Sequence, residues 1–563
     1  MKTAMTFASL PRPLLKPAAA AALLAWLPAH AYQAGAPNAG ALLQQEQPVQ
    51  PASPQPGKTP LRIAPQQASS LPASKPFEVK SIRIAGNAAF SAATLHALVA
   101  DAEGTTATLP QLEQLAARIT AYYQDHGFPL SRAIVPAQTI ADGQVTIQVV
   151  EAHYGQVKLQ NASRVGDGPL AATLATLQPG EAIAERGLDR ALLLLSDVPG
   201  VSVDAVIKPG AGVGAADLEV AVRHSPATFA SLVLDNAGSR YIGRARAGIT
   251  AYLVNPLHRG DVFDASILST GRGMDYARLG YEILLGGAGT RAGAAWSRVH
   301  YRLQGEVNPL DAYGTADVAS AWLKQPLVRG RQANLYAQLG YDAKRLRDRV
   351  GVLDSRTDRH LDNWVLSLNG DLRDGLLGGG VNAWSLGWTS GRTGFDDAAA
   401  LDADTASART RGRFSKWNAS VSRLQRLGGR ATLFLSASGQ WADANLDSAE
   451  KMSVGGPYSV RAYDVGVLSG DTAYLATLEL RHELAGGLQA IAFADSARVT
   501  INRQPWTASP NAVRLSGAGL GLTWNGSKGW RASLSVAAPV GAEPRLLGAQ
   551  PSIRAWATAG KSF

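Results

Sequence analysis

Apolar and polar residues alternate one by one along much of the chain that follows His224. The clearest run covers residues 430–441, where one face would carry Ala431, Leu433, Leu435, Ala437 and Trp441. The opposite face would carry Arg430, Thr432, Ser436, Ser438 and Gln440. A period of two residues is typical of a β-strand with one apolar and one polar face. The pattern therefore predicts mainly β-structure after residue 224.

Sixteen segments of this kind can be delimited, and each has about the length that a tilted membrane strand requires. They lie at 228–236, 245–254, 261–269, 276–285, 291–300, 315–324, 332–342, 361–371, 381–391, 414–424, 430–441, 472–484, 488–499, 513–524, 529–538 and 552–563. After the second predicted hairpin, the gaps between them mostly alternate in length. Long gaps lie at 301–314, 343–360, 392–413, 442–471, 500–512 and 539–551, and short ones at 286–290, 325–331, 425–429, 485–487 and 525–528. Because outer-membrane barrels have long loops on one side and tight turns on the other, we predict a 16-stranded antiparallel β-barrel over residues 225–563.

Helical periodicity is confined to the region before the barrel, where one pattern occurs twice. In residues 76–152 a strand, two helices and two strands are predicted at 77–84, 91–101, 110–126, 130–135 and 144–151. In residues 153–224 the same order is predicted at 154–160, 169–177, 185–196, 202–208 and 217–223. The sequence therefore predicts two consecutive β-α-α-β-β domains of the α+β class.

The N-terminus has the pattern of a secretory signal peptide over residues 1–31. Basic residues precede a short apolar run, which ends at Ala29-His30-Ala31. Residues 32–75 are rich in Pro, Gln, Ala and Ser and are predicted to form a linker. Within it, residues 39–47 have two interpretations: part of a disordered mature N-terminus, or a small helix that plugs the barrel.

Composition excludes several functional classes. The chain has no Cys, which rules out a disulfide scaffold and cysteine-based metal sites. The formal charge is +10, but Lys and Arg are scattered, so no nucleic-acid partner is predicted. We find no catalytic constellation or metal-ligand spacing, and no helix is predicted after the glycine-rich stretch 286–289 that would make it a nucleotide loop. We therefore expect no enzyme activity, cofactor, metal or nucleotide, and we expect Glu151 and His153 to be solvated.

The longest gap, residues 442–471, contains the sequence Gly455-Gly456-Pro457-Tyr458-Ser459-Val460-Arg461-Ala462-Tyr463. A loop of this length is usually functional or disordered. We predict that it folds back into the barrel, with Arg461 bound to Asp495 on the wall. Asp495 lies in an otherwise apolar strand, where a charge facing lipid would be penalised. Because a hydrated lumen screens charges, we expect the pair to contribute only about 1 kcal/mol.

Three motifs resemble those of the TpsB-type transporters of two-partner secretion, the haemolysin-activator and filamentous-haemagglutinin transporter family. Residues 234–244 resemble the family's opening of the barrel, with Asp235, Asn236, Gly238, Gly243 and Arg244 at the matching positions. Val460, Arg461, Ala462 and Tyr463 resemble its V-R-G-Y loop motif. Phe493 and Asp495 resemble its F-x-D motif. Ala462 replaces the family's Gly, which would cost about 1 kcal/mol if that position required a positive φ.

The resemblance implies that the two β-α-α-β-β domains are periplasmic POTRA domains. It also implies an outer-membrane translocator that exports a partner exoprotein through its barrel, without nucleotide. Phe563 resembles the C-terminal aromatic signal by which the barrel assembly machinery recognises its substrates, although Lys561 stands where an apolar residue is usual. The expected partners are the exoprotein, outer-membrane lipid and that machinery.

Two alternatives remain open at this point. An outer-membrane insertase of the same superfamily would share the loop motif. A passive porin would share the barrel but would not need the two domains that precede it.

Overall fold

The computed structural model describes residues 36–46, 61–63, 74–140, 142–226, 228–542, 544–548 and 550–563. The predicted signal peptide, residues 1–31, and most of the predicted linker lie outside the described residues. No helix among the described residues is long and apolar enough to cross a membrane.

The first domain, residues 76–152, packs helices against a small sheet. Its strands are β2 (Phe77–Val79), β3 (Ser81–Ala85), β4 (Thr105–Ala107), β5 (Arg132–Ile134) and β6 (Gln144–Val150), and its helices are α2 (Ala92–His96) and α3 (Leu109–Asp125). The three-stranded sheet has the order β3-β6-β5, and β2 pairs separately with β4. Helix α3 begins at a capping box between Thr108 and Gln111 and buries Leu112, Leu115 and Ile119 against the sheet.

Glu151, at the end of the first domain, is held by hydrogen bonds within the domain. The expectation that it is solvated is therefore wrong. Its carboxylate accepts hydrogen bonds from the Tyr123 hydroxyl at 2.7 Å and from the amides of Ala88 and Ala89 at 2.7 and 2.8 Å. Burial acts to raise the pKa of Glu151, but these three hydrogen bonds outweigh it, and the pKa is lowered. The side chain therefore ties helix α3 to the segment before helix α2.

The second domain, residues 153–224, has the predicted order β-α-α-β-β, whereas the first domain has two further short strands, β2 and β4. The second domain contains β7 (His153–Ala162), α4 (Asp167–Leu174), α5 (Glu185–Ser196), β8 (Val201–Pro209) and β9 (Ala215–His224). Its sheet has the order β1-β8-β9-β7, in which β1 (Leu61–Ile63) comes from the predicted linker and pairs in parallel with β8. The sequence predicts no strand there. Pairing at a sheet edge uses backbone groups, so it leaves no required side-chain pattern.

Sixteen strands close into an antiparallel barrel, as predicted. They are β10 (Thr228–Asp235), β11 (Arg246–Val254), β12 (Val262–Ser269), β13 (Met274–Leu285), β14 (Thr290–Arg302), β15 (Ala312–Arg329), β16 (Ala333–Val350), β17 (Ser355–Asp374), β18 (Gly380–Phe395), β19 (Gly412–Gly428), β20 (Ala431–Ala442), β23 (Thr472–Glu483), β24 (Leu488–Thr500), β25 (Ala512–Asn525), β26 (Trp530–Pro539) and β27 (Arg554–Ser562). Strands β21 (Met452–Val454) and β22 (Leu468–Gly470) form a hairpin inside the loop 442–471, and helix α6 (Ala398–Thr405) lies in another loop.

Strands β15 to β18 are 16 to 20 residues long, so they extend well beyond the segments predicted from alternation. The predicted gap 343–360 is mostly strand, because β16 runs to Val350 and β17 begins at Ser355. The additional strand residues are polar on both faces of the strand, such as Arg345, Arg347 and Asp348. Strand without an apolar face has no alternation signal, which is why the sequence underestimates these lengths.

The orientation of the barrel follows from connectivity. Strand β10 begins directly after the second domain, so that domain and the short turns lie at the same end of the barrel. The domain is fastened to these turns by Arg329, whose side chain is fully buried and donates twice to Asp197 at 2.7 Å. Arg331 donates to Asp189 at 2.7 Å. Burial raises the pKa of Asp189 despite the nearby Arg331. The long loops therefore lie at the end away from the second domain.

Candidate functional site

The loop 442–471 enters the barrel and places Arg461 against the wall formed by β23 and β24. The guanidinium donates to both carboxylate oxygens of Asp495, at 2.8 and 2.7 Å, and to Glu479 at 2.7 Å. Its carbon lies 3.4 Å from the centre of the Phe493 ring. The structure thus brings together the loop motif and the F-x-D motif, and it adds Glu479, which the sequence analysis missed.

The Arg461–Asp495 pair is buried. The Asp495 side chain has no exposed surface, and that of Arg461 is 11 % exposed. Asp495 also accepts from the Arg461 amide at 3.2 Å and from the Thr477 hydroxyl at 3.1 Å. The expectation of a water-screened pair is therefore wrong, because the loop itself fills the space that water would occupy. Removing one partner of such a pair costs about 3–5 kcal/mol, since the other charge stays buried.

The rest of the loop motif is packed tightly around Arg461. Val460, Ala462 and Tyr463 are fully or almost fully buried. Ala462 does not adopt a positive φ, so its replacement of the family's Gly causes no backbone strain. Its methyl group faces Gly517 on the wall, where an added Cβ would lie 2.5 Å from that of Ala462. The absent side chain at residue 517 therefore makes room for the extra methyl in the loop.

The barrel-opening motif forms the connection between β10 and β11. An added Cβ on Gly238 would lie 1.9 Å from the carbonyl oxygen of Gly243, so the turn excludes any side chain there. Gly243 itself has a φ of +101°, which favours glycine. Arg244, at the end of the motif, donates to Asp464 of the loop at 2.8 Å. Arg554 on the last strand binds the same carboxylate at 2.5 Å. The loop is thus linked to the last strand of the barrel and to the connection that follows the first strand.

Asn236 lies where β10 meets β27 to close the barrel. Strand β11 pairs with residues 228–235 of β10, but β27 pairs only with residues 231–235. Asn236 extends this shorter seam: its side chain donates to the Ala555 carbonyl at 3.1 Å and accepts from the Ala557 amide at 2.9 Å. The Asn236 side chain therefore adds two hydrogen bonds to the pairing of β10 with β27.

Substituting Asn236→Ala should weaken the seam, because both side-chain hydrogen bonds to β27 are lost. We expect a loss of about 1–3 kcal/mol and a lower temperature at which the folded, fast-migrating form disappears on gels. Asn308→Ala is the control, since Asn308 is exposed in an external loop. An equal shift for both variants would contradict a role of Asn236 in closing the barrel.

Helix α1 (Ala39–Gln45) lies inside the barrel, beside the loop. Ala39, Leu42 and Leu43 are buried in an apolar cluster with inward side chains of β13 to β17 and β19 and with Leu446 and Ala449 of the loop. Gly40 contacts the loop so closely that an added Cβ would lie 2.5 Å from the Ser448 hydroxyl. Of the two interpretations of residues 39–47, the structure has the helical one, placed within the lumen.

Polar contacts at both ends of helix α1 connect it to the wall and the loop. At its start, the Ala39 amide donates to Asp348 at 2.8 Å, and Asn38 accepts from Ser448 at 2.8 Å. Just beyond its end, Glu46 binds Arg246 at 2.8 Å, and both side chains are less than 10 % exposed. Arg246 also binds Asp235 of the barrel-opening motif at 2.8 Å. The helix therefore shares an ion network with a motif residue.

A second ionic cluster holds the first part of the loop against the opposite wall. The Glu450 carboxylate forms ion pairs with Lys344 at 2.6 Å and with Lys416 at 2.8 Å, and all three side chains are buried. Arg359 binds Asp348 at 2.8 Å and approaches Asp447 at 2.6 Å, an ion pair whose N–H is not aligned for a hydrogen bond. Sequence reasoning missed these residues. The sequence signal that could have found them is a charged residue at an inward position of an alternating strand.

The C-terminal residue lies at the domain end of the barrel. Phe563 is exposed, and its amide donates to the Ala230 carbonyl at 2.9 Å. Lys561 donates to the Lys528 carbonyl in the adjacent turn, with its ammonium 5.4 Å from the ring centres of both Trp530 and Phe563. A lysine is thus accommodated by placing its charge at the turn and its stem along aromatic rings.

Residues 214–524 match the family described as haemolysin secretion/activation protein ShlB/FhaC/HecB, and residues 77–152 match the POTRA domain, ShlB-type. Since the first match covers more than half of the chain, the protein belongs to this family. It is an outer-membrane transporter of two-partner secretion, with POTRA domains in the periplasm, and the family is one of transporters. The predicted family and fold class are confirmed.

Curated relatives are similar over most of their length. The Heme/hemopexin transporter protein HuxB of Haemophilus influenzae (strain 86-028NP) is 25 % identical over 446 residues, covering 78 % of this chain and 79 % of the relative. The Outer membrane transporter CdiB of Escherichia coli O6:K15:H31 (strain 536 / UPEC) is 24 % identical over 484 residues, covering 82 % and 79 %.

Solved structures agree in fold. CdiB from Escherichia coli superposes with a TM-score of 0.67 at 21 % identity, covering 89 % of this chain and 93 % of the other. BamA from Haemophilus ducreyi lacking POTRA domains 1–3 gives a TM-score of 0.52 at 14 % identity, covering 86 % and 100 %. At these identities the likeness concerns the fold alone.

Proposed function

We propose that this transporter captures an unfolded exoprotein in the periplasm and exports it through the lumen after the exoprotein displaces helix α1, while Arg461 keeps the loop 442–471 anchored to the wall. The observation that carries the proposal is that helix α1 and the loop occupy the lumen of the barrel. Helix α1 and the loop share one apolar cluster with the wall, and they are held by hydrogen bonds and ion pairs. The contacts of helix α1 can be exchanged for contacts with a passing chain.

The names of the relatives support a class of client. One relative is named for transport of heme and hemopexin, and the others are named outer-membrane transporters. These names describe those proteins. For this chain they support a secreted protein as cargo, threaded in extended form through the lumen.

The first domain offers the better docking edge for such a chain. In its sheet, β3 and β5 are edge strands, and neither pairs on its outer side with another strand of the described residues. An extended peptide can add to an edge of this kind through backbone hydrogen bonds. In the second domain β1 already occupies the outer edge of β8, so β7 is the one strand of residues 153–224 whose outer edge no described strand covers, against two such strands in the sheet of the first domain. We therefore assign client capture to the first domain.

Biogenesis and energy supply complete the proposal. The aromatic C-terminal strand would be recognised by the barrel assembly machinery, with Phe563 exposed for that contact. The chain contains no motif of a nucleotide-binding loop. Folding of the client outside the cell would make its export irreversible.

Deletion of residues 77–152 tests the capture step. This deletion leaves the second domain on the barrel, where Leu284 of β13 packs into the domain's core. We expect the shortened protein to insert and to resist denaturation in gels, but to export its client only at background level. Client in the medium is compared with barrel in the membrane fraction. Export at the normal level would contradict capture by the first domain.

A further inference from the structure

The outer wall of the barrel carries two arginines that face each other on neighbouring strands. Arg498 on β24 is the register partner of Arg514 on β25. Both side chains are exposed, and neither guanidinium forms a hydrogen bond or ion pair with any residue that the structure describes. Two like charges directly opposite in a sheet destabilise it unless an anion lies between them.

The two arginines point toward the lipid, not into the lumen. Asp495, Ala497 and Val499 occupy the other face of β24 and are buried inside the barrel. Tyr474, the register partner of Arg498 on β23, lies on the same side as the exposed Leu478. A charge on this face is costly near the middle of the bilayer and tolerated near its surface.

The height of the pair on the wall matches the bilayer surface. Arg498 lies two residues before the end of β24, and Arg514 two residues after the start of β25. Both positions are at the end of the barrel that carries the long loops. Trp441 and Tyr474 lie beside them, with ring centres 5.5 Å apart and a hydrogen bond of 2.7 Å between the indole and the hydroxyl. Aromatic side chains of this kind mark the membrane–water interface.

Next to the two arginines and the aromatic pair, on the side of the bilayer centre, the outer wall has a depression of about 850 Å³. Its floor consists of small outward residues on neighbouring strands, Ala419, Ala437, Gly439, Ala476 and Ser496. Arg498, Arg514, Trp441 and Tyr474 line its margin. The absence of large side chains across four strands leaves room for an acyl chain directly beneath two cationic groups.

We propose that this depression binds a phosphorylated glycolipid of the outer leaflet. One phosphate would lie between Arg498 and Arg514, because two guanidinium forks can bind its oxygens and remove the repulsion between them. A sugar ring would pack against Trp441 and Tyr474, and one acyl chain would fill the depression. Basic pockets on membrane proteins bind lipid headgroups by the same chemistry.

Other outward arginines at the same end of the barrel do not line the depression. Arg392 on β18 and Arg413 on β19 also face each other in register and are exposed, but they lie outside the depression. Arg298 on β14 lies 3.7 Å from Asp317 on β15. Arg349 on β16 binds Asp358 on β17 at 2.5 Å. Their charges are already compensated by the protein. The pair at residues 498 and 514 is distinguished by lining the margin of the depression beside Trp441 and Tyr474.

The test uses the purified full-length chain in lipid nanodiscs, with lipid bound per barrel counted by native mass spectrometry. The probes are bisphosphorylated lipid A, lipid A without phosphates, and phosphatidylglycerol. We expect the doubly phosphorylated form to be retained about tenfold better than either other lipid. The double substitution Arg498→Gln with Arg514→Gln should abolish this preference, and Ala476→Trp should reduce retention by filling the depression without changing charge.

The control is the double substitution Arg298→Gln with Arg349→Gln, which removes the same charge from paired arginines and should leave retention unchanged. Folding of every variant is checked by its migration on unheated gels. Equal retention of lipid A by the Arg498/Arg514 variant and the parent protein would overturn the proposal. Equal retention of phosphatidylglycerol would also overturn it, since any anionic lipid would then suffice.

Discussion

Replacing Arg461 or Asp495 by alanine should stop most export while the barrel remains in the membrane at a near-normal level. Each substitution breaks a buried pair, which costs about 3–5 kcal/mol of the free energy that holds the loop in place. The backbone ladder of sixteen strands does not involve the loop, so folding should be affected much less. The reduction in export should be about tenfold or more.

The double variant should be little worse than Arg461→Ala alone, because the two residues act as one unit. Arg461→Lys should restore little export, since an ammonium cannot donate to Asp495 and Glu479 in the same fixed geometry. The measurement is client in the culture medium relative to barrel in the membrane fraction, for all four variants.

Arg423→Ala is the matched control for these variants. Arg423 binds Asp374 through two hydrogen bonds, at 2.7 and 2.9 Å, but it lies on the barrel strand β19 and does not touch the loop. The Arg423→Ala variant should export its client at the normal level. Strictly additive losses from the two single alanine substitutions would show that Arg461 and Asp495 work separately, and the paired role would be rejected.

Removing residues 32–60 should raise the ion conductance of the barrel in planar bilayers several-fold. This deletion takes away helix α1, whose buried Leu42 and Leu43 fill space between the wall and the loop. It also leaves Arg246 without Glu46. The space released inside the lumen would fill with water and ions.

A point substitution separates the helix from the rest of the deleted segment. Leu42→Asp places a carboxylate in a fully buried apolar position, which should expel the helix and raise conductance in the same direction. Ala41→Ser, one residue away and only partly buried, should leave conductance unchanged. If the deletion conducts like the parent protein, helix α1 does not restrict the pore.

The architecture could be predicted from the sequence because it rests on local, repeated signals. Each barrel strand must present one face to lipid and one to the lumen, so alternation is forced on the sequence. The loop motif and Asp495 were found for a related reason: a charge within an apolar strand requires an inward partner. Helices α3 and α5 were equally visible, because their buried faces repeat at helical spacing.

The partners of those residues depend on where distant segments meet. Glu479, Asp464 and Arg554 each look like an ordinary polar residue of a strand or loop, and only closure of the barrel brings the last two together. The same holds for Glu450 with Lys344 and Lys416. Strand β1 could not be predicted either, because pairing with β8 occurs through backbone groups, which every sequence has.

The sequence by itself thus determined the number of barrel strands, the two preceding domains and the residues most in need of a partner, because burial against lipid or a core imposes a period on the chain. The tertiary structure alone decided that the Arg461 pair is dry, that helix α1 occupies the lumen and that Gly517 makes room for Ala462. These features follow from which surfaces exclude water from one another, and that depends on residues far apart in the chain.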